Sequence, residues 1–386
     1  MKNKKKRTNS FKLMLYIAGV LILILAIGMG IYHLSNLSIS ADYEAKTLAL
    51  NEQNKLDEIT FNAQLQEEAA RNAQSTGEEA NPSSVQLYET TVDDTIWTVN
   101  DDREFGLDNA STITFDHQSL LHGGLMLVNS WHPLPSDYST EGMVRVGVES
   151  KYKIQVTDNS VVLFRPAYEA LLNMITAANE AGHDHYIVRE SYRTNETQTT
   201  YFQNKMEALS NRYSGDILIE EAKKSVSYPG TSEYQTGMAF RLDLYKKGDS
   251  SVSSMYQTTP QGQWATENAW KYGIIFRYPS KNFPNASWED KSHKTGIALK
   301  LNVYRYVGTP HSVAMKLLDY SFEEYVEFLQ RYPHISIYED GALRYEIVRF
   351  NAAQGQTSFA LPVPNPATSH IASYDNMGGI VLAYTY

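Results

Sequence analysis

The sequence predicts an α+β domain with a central antiparallel sheet flanked by helices, preceded by a transmembrane helix and helical stalk and followed by a β-rich C-terminal segment. Three observations predict it. Residues 13–32 (LMLYIAGVLILILAIGMGIY) carry no charge, and about 20 such residues in a helix span roughly 30 Å, the thickness of a bilayer's hydrocarbon core. MAFRLDLY at 238–245 alternates strictly, with Met238, Phe240, Leu242 and Leu244 on one face of a strand. Helix-type patterns surround that strand on both sides in the chain, an α+β arrangement.

Taken in order, the first element is a basic tail at 1–12, where Lys2, Lys4, Lys5, Lys6, Arg7 and Lys12 place +6. By the positive-inside rule this end stays in the cytoplasm, the helix at 13–33 spans the cell membrane once, and the remainder lies outside. A cleaved signal peptide is the competing reading; its apolar run is ordinarily about 7–15 residues, shorter than this one. Residues 34–85 read as an extracellular stalk and linker: Ala, Leu, Glu and Gln without Gly or Pro from 41 to 74, then STGEEANPSS. Its apolar residues recur loosely, so self-association through the stalk stays open.

Residues 86–331 form the expected domain and 332–386 the β-rich segment. Short β-type runs (LYETTV, TIWTV) are broken by Asp-rich turns. PAYEALLNMITAANEAG at 166–182 opens on Pro166, carries Leu171, Met174, Ile175 and Ala178 on one face, and stops at Gly182. Residues 195–213 read as a helix with Asn195 and Gln198 in capping-box spacing and a Phe202, Met206, Leu209, Tyr213 stripe. A further helix covers 264–273. SFEEYVEFLQ at 321–330 has a second capping box, Ser321 with Glu324.

The chain has 386 residues, no cysteine, 27 tyrosines and a net charge of −10, so −16 follows the basic tail. Disulfides and thiolate metal sites are excluded, which suits a bacterial cell-surface protein. An acidic body is a poor partner for nucleic acid, since phosphates need clustered cations.

Five blocks in order resemble the VanY-type D-alanyl-D-alanine carboxypeptidases: LMLVNSWHPLPSDY at 125–138, ESYRTNETQ at 190–198, PGTSEYQTGMAFRL at 229–242, NAWKYGIIFRYP at 268–279 and TGIALKLNVYRYVGTPH at 295–311. The resemblance covers roughly 120–330. It implies the fold shared by these carboxypeptidases and Hedgehog-like domains, and peptidoglycan as substrate class. It also implies a zinc ion held by two His and one Asp, with a Glu as general base. At those positions stand Tyr234, Arg241 and Val303 for the ligands and Lys300 for the base, with Asn302 at a family Trp. Zinc needs N, S or O donors; a valine has none and an arginine keeps its proton. The expectation is therefore a degenerate member with no cofactor.

The persisting frame includes Tyr192, Arg193, Gln198, Ser232, Gly237, Arg277, Arg305 and Gly308; Arg193 matches the family Arg that helps hold substrate near the scissile carbonyl. Arg241 and Lys300 would invert the site's charge. Arg193, Gln198, Ser232, Arg241 and Lys300 are thus the candidate ligand-binding residues, for an anionic group such as the carboxylate of a peptidoglycan stem peptide. Asp243, about 6.7 Å along the strand from Arg241, is placed to pair with it rather than to replace a ligand. A Ser232–Lys300 hydrolase has no supporting G-x-S-x-G or S-x-x-K pattern. His183 and His185 read as an exposed turn, His132 and His334 as loop residues, His293 as a loop neighbour of the last block and His311 as structural. Two further readings stay open. In one, LKLNVY at 299–304 runs as a regular strand and the domain is a scaffold or interaction module without a pocket. In the other, an altered site retains peptidase activity.

Overall fold

Residues 84–102, 107, 109–245, 256–283, 288–298, 300, 302–352 and 355–386 are described by the computed structural model. The basic tail, the expected spanning helix and nearly all of the stalk lie outside these residues. Among the described residues, no helix is long and apolar enough to cross a membrane.

The chain enters through a hairpin of β1 (Val85–Val92) and β2 (Thr95–Asp101). Asp93 and Asp94 turn it, both at positive φ, the conformation whose twist matches paired strands in two-residue loops. β3 (Ala110–Asp116), β4 (Met143–Arg145), β5 (Gln155–Val156) and β6 (Val162–Phe164) follow. Pro166 then sits in the first turn of α1 (Arg165–Glu180), where its missing N–H leaves no bond unmade. Next come β7 (Tyr186–Glu190), α2 (Asn195–Leu209), α3 (Gly215–Lys223) and β8 (Ala239–Leu244). α4 (Pro260–Asn268), β9 (Ile274–Phe276) and β10 (Val303–Tyr306) complete the middle of the chain. α5 (Thr309–Leu318) and α6 (Phe322–Arg331) lead to β11 (His334–Glu339), β12 (Ala342–Asn351), β13 (Ser358–Pro364), β14 (Ser369–Tyr374) and β15 (Gly379–Thr385).

Two main sheets result. One has five strands in the order β5-β7-β8-β10-β9, antiparallel except for the short parallel β5–β7 pair. α1 covers one of its faces: Leu171, Met174, Ile175 and Ala178 share a core with Met238, Phe240, Leu242 and Tyr304. The strict alternation of 238–244 is what sends those apolar residues inward and leaves Arg241 and Asp243 on the opposite face.

The other sheet has six antiparallel strands, β1-β2-β11-β12-β15-β14. α5 and α6 pack on it through Val313, Leu317, Phe322, Val326 and Leu329 against Val99, Ile335, Ile337, Ile347 and Val381. The boundary expected at 331/332 therefore does not separate two bodies. Ile335 pairs with Asp101 and Ile337 with Val99, so the C-terminal strands complete a sheet begun by the first hairpin. Two-stranded ladders β3–β13 and β4–β6 accompany the main sheets.

Three local expectations are corrected. The N-cap of α2 is Thr194, whose hydroxyl accepts from Thr197 N at 3.1 Å; Gln198 turns inward rather than back to Asn195. Of the expected α2 stripe only Phe202 is buried. The strand expected over 299–304 begins at Val303, because Asn302 has φ +59°, a left-handed conformation that breaks a ladder. The capping box at Ser321 and Glu324 is present in both directions.

Candidate functional site

A tight 3-10 turn, Glu233–Thr236, delivers the chain into β8 and closes on Gly237 at φ +66°. A Cβ at Gly237 would come within 2.9 Å of the Phe164 ring, so glycine is required there for both conformation and space. The turn tucks Tyr234 under the sheet, where it is buried with Ala239, Tyr278, Ile297 and Val303.

Across the sheet, Val303 is the direct partner of Arg241. Three positions at which the resemblance expects zinc ligands are thus brought together, but as a phenol, a guanidinium and an isopropyl group. Burial holds the Tyr234 phenol well above its ordinary pKa, with Glu190 adding to the effect, so it keeps its proton. Arg241 Nη2 lies 3.0 Å from Asp243 Oδ2, and Asn302 donates to Asp243 Oδ1 at 2.5 Å. The left-handed turn at Asn302 supplies that second contact. Burial pushes the Asp243 carboxyl up, while Arg241 and Asn302 oppose it. These residues do not fit a zinc ion, and among the described residues no group of three or more His, Asp or Glu could hold a metal.

Lys300 stands apart from these pairs. Its Nζ lies 5.0 Å from the centre of the Tyr234 ring and 5.4 Å from that of Tyr278, within cation–π range. No carboxylate forms an ion pair with it among the described residues. Burial lowers its pKa to about 7; Arg193 adds to this and Glu190 and Glu233 oppose it. Of Arg193, Arg241 and Lys300, it is the cation with no ion-pair partner among the described residues.

Arg193 is held from four sides. Nη2 lies 2.5 Å from Glu190 Oε2, Nη1 donates to Gln198 Oε1 at 3.1 Å, and the guanidinium is 4.2 Å from the centres of both the Tyr201 and Tyr234 rings. Gln198 is wholly buried and donates to Ser227 O at 2.7 Å. Ser232 is also wholly buried, and its Oγ has no hydrogen-bond partner among the described residues. It therefore makes no dyad contact with Lys300. The structure brings Arg193, Gln198, Tyr234 and Lys300 into one cluster, with Arg241 and Val303 at its sheet side. The expected charge inversion is corrected in size: Glu190 offsets Arg193 and Asp243 offsets Arg241, leaving Lys300.

Behind this cluster lies a buried ionic frame. Arg277 Nε donates to Glu233 Oε1 at 2.6 Å, and its two terminal nitrogens donate to the Glu323 carboxylate at 3.0 and 2.6 Å. Arg305 reaches Glu233 Oε2 at 3.5 Å, Thr236 Oγ1 at 2.5 Å and the carbonyls of Gly124 and Met126. Burial alone would lower the Arg277 pKa, but Glu323 and Glu233 hold it above the ordinary value. Sequence reasoning found both arginines and missed Glu233 and Glu323. The signal for Glu233 was its place between Ser232 and Tyr234 in the third block.

The histidines fall outside the cluster. His311 is buried against Tyr325 OH at 2.8 Å, and burial lowers its pKa to about 3. His185 pairs with its neighbour Asp184 on a half-exposed turn. His334, expected in a loop, instead opens β11 and pairs with Glu346 at 2.6 Å.

Residues 161–307 match the family model of VanY, D-alanyl-D-alanine carboxypeptidase, and form a domain of that family. The chain is similar to a D-alanyl-D-alanine carboxypeptidase of Enterococcus faecium, 27% identical over 71% of this chain and 79% of that one. It is also similar to the bifunctional D-Ala-D-Ala dipeptidase and carboxypeptidase VanXYC of Enterococcus gallinarum, 26% identical over 53% of this chain and 94% of that one. Among solved structures, the vancomycin-resistance D,D-dipeptidase VanXYg superposes with a TM-score of 0.55 at 23% identity, over 72% of this chain and 99% of that one. That likeness establishes the fold.

Proposed function

We propose that this domain is a metal-free binder of peptides ending in a carboxylate, of the peptidoglycan stem-peptide class, and that it has no carboxypeptidase activity. Lys300 is the observation that carries the reading. It is a cation without an ion-pair partner among the described residues, set over Tyr234 and Tyr278 beside Arg193. A carboxylate arriving there would meet the amine of Lys300 and the guanidinium of Arg193. The named activities of the enterococcal relatives, all on D-Ala-D-Ala, support the choice of peptide class. The basic tail and the apolar run at 13–33 support a single-pass membrane anchor that displays the domain outside the cell. The stalk would set its reach from the membrane.

One observation favours a scaffold without a ligand. Arg241 is already engaged by Asp243, and Tyr234 with Val303 fills the space between strands with apolar atoms. Calorimetric titration of the full chain with a D-Ala-D-Ala-ended pentapeptide in the presence of a chelator separates the two. Saturable binding that is lost when the peptide's C-terminus is amidated supports the binder. Absence of any heat with either peptide supports the scaffold, and chelator-sensitive D-alanine release would sink both.

A further inference from the structure

Large exposed aromatic rings are costly to leave in water, and they mark contact surfaces when they gather around one cleft. Three lie on neighbouring segments here: Trp131, Tyr201 and Tyr228, with 58%, 43% and 47% of their surface exposed. Their loops are tied to one another. Leu134 N donates to Gly230 O at 2.8 Å, joining the Trp131 loop to the one that follows Tyr228. Ala298 N donates to Lys224 O, and Gln198 to Ser227 O, joining the approach to Lys300 and helix α2 to that same loop. The Arg193 guanidinium, 4.2 Å from the centres of both rings, links exposed Tyr201 to buried Tyr234.

Each ring is also propped in place. Asn129 Oδ1 accepts from Trp131 N at 3.0 Å, and Asn129 is itself fixed by Glu323 of the buried ionic frame. Gly296, at φ +72°, gives the Trp131 ring its seat: a Cβ there would sit 3.3 Å from the indole. Tyr228 rests edge-on against Phe202 at 5.2 Å between ring centres. Cations stand beside two of the rings, with Lys223 Nζ 5.9 Å from the Tyr228 ring and Arg193 at Tyr201.

We infer that this aromatic rim is a saccharide subsite, which takes a β-1,4-linked N-acetylhexosamine strand alongside the carboxylate cleft. The choice follows from the chemistry. Rings that are fixed, solvent-exposed and interleaved with cationic donors suit a pyranose, which offers a flat C–H face bordered by hydroxyl and amide groups. An apolar peptide side chain would need a closed pocket. An added peptide strand would need a free sheet edge, and the edges of the five-stranded sheet are β5 and β9, two and three residues long. In naming the polymer that carries stem peptides, the inference rests on the function proposed above.

The test titrates the full chain with a β-1,4-linked N-acetylglucosamine tetramer, read by tryptophan fluorescence and calorimetry. Wild type should bind saturably, and Trp131→Ala and Tyr228→Ala should each weaken binding roughly tenfold, the scale of one lost aromatic contact. Tyr88→Ala, on β1 of the other sheet, should leave it unchanged. Melting curves matching wild type show that each variant is folded, and Trp131→Phe should restore part of the affinity. No saturable tetramer binding by wild type, or equal affinity in both alanine variants, overturns the inference. The D-Ala-D-Ala-ended pentapeptide is titrated into the same samples. Tetramer binding without peptide binding upholds the rim and overturns the carboxylate reading; peptide binding without tetramer binding does the reverse.

Discussion

Replacing Lys300 by methionine keeps the unbranched stem between Tyr234 and Tyr278 and removes the amine. In the folded protein that amine titrates at about 7, against 10.5 ordinarily, chiefly because burial penalises its charge. Between about pH 7 and pH 10 the unfolded chain therefore binds one more proton than the folded one. Stability rises with pH across that window, by about 1.4 kcal/mol per unit for a fully coupled group. Lys300 is half-buried, so solvent screening narrows the pKa gap, and with it the pH window, without changing that slope. Below about pH 7 both states are protonated and the contribution is flat. Lys300→Met should thus exceed wild type in stability most at about pH 7, with the gap shrinking by about 2 kcal/mol towards pH 9. Urea denaturation of the two full-length chains across this range gives the gap directly. Parallel stability curves would refute the argument, since they would mean that the amine carries the same proton folded and unfolded.

Three other outcomes follow from the same contacts. Peptide binding should move the opposite way with pH: a carboxylate selects protonated Lys300, so affinity should fall roughly thirtyfold from about pH 6 to pH 8.5 if that charge is required. Calorimetry at both pH values tests this, and an unchanged affinity contradicts it. Glu233→Gln leaves Arg305 without its carboxylate and Arg277 with only Glu323; it should cost about 3–5 kcal/mol of stability, the scale for breaking a buried pair, read as a lower urea midpoint. Ser321→Ala removes the cap that holds Glu324 N and should cost about 1 kcal/mol, visible as a melting shift of a few degrees.

Local signals were legible where the physics is local. Pro166 and the α1 stripe, the alternation of 238–244 and the Ser321–Glu324 box each act within a few residues, and each is present in the fold. The union of β2 with β11 is different: it joins residues more than 200 positions apart, and no periodicity in either run names its partner. The site divides the same way. The identities of Tyr234, Arg241, Lys300 and Val303 could be read from the block pattern, and so could an Arg241–Asp243 pair two residues apart on one strand face. What could not be read was how the charges cancel. Glu190 reaches Arg193 across the turn that ends β7, and Asn302 reaches Asp243 only because its backbone is left-handed. Lys300 over two tyrosine rings depends on Tyr278, which lies in a different block of the sequence.

The central claim is that Tyr234, Arg241 and Val303 hold no zinc, because a protonated phenol, a paired guanidinium and a valine offer it no donor set. Metal analysis of the full chain, loaded with zinc and then dialysed, tests this most directly. The account predicts zinc far below one ion per chain, unchanged by Arg241→Ala or by Tyr234→Phe. One tightly held zinc per chain, lost in Tyr234→Phe, would contradict it.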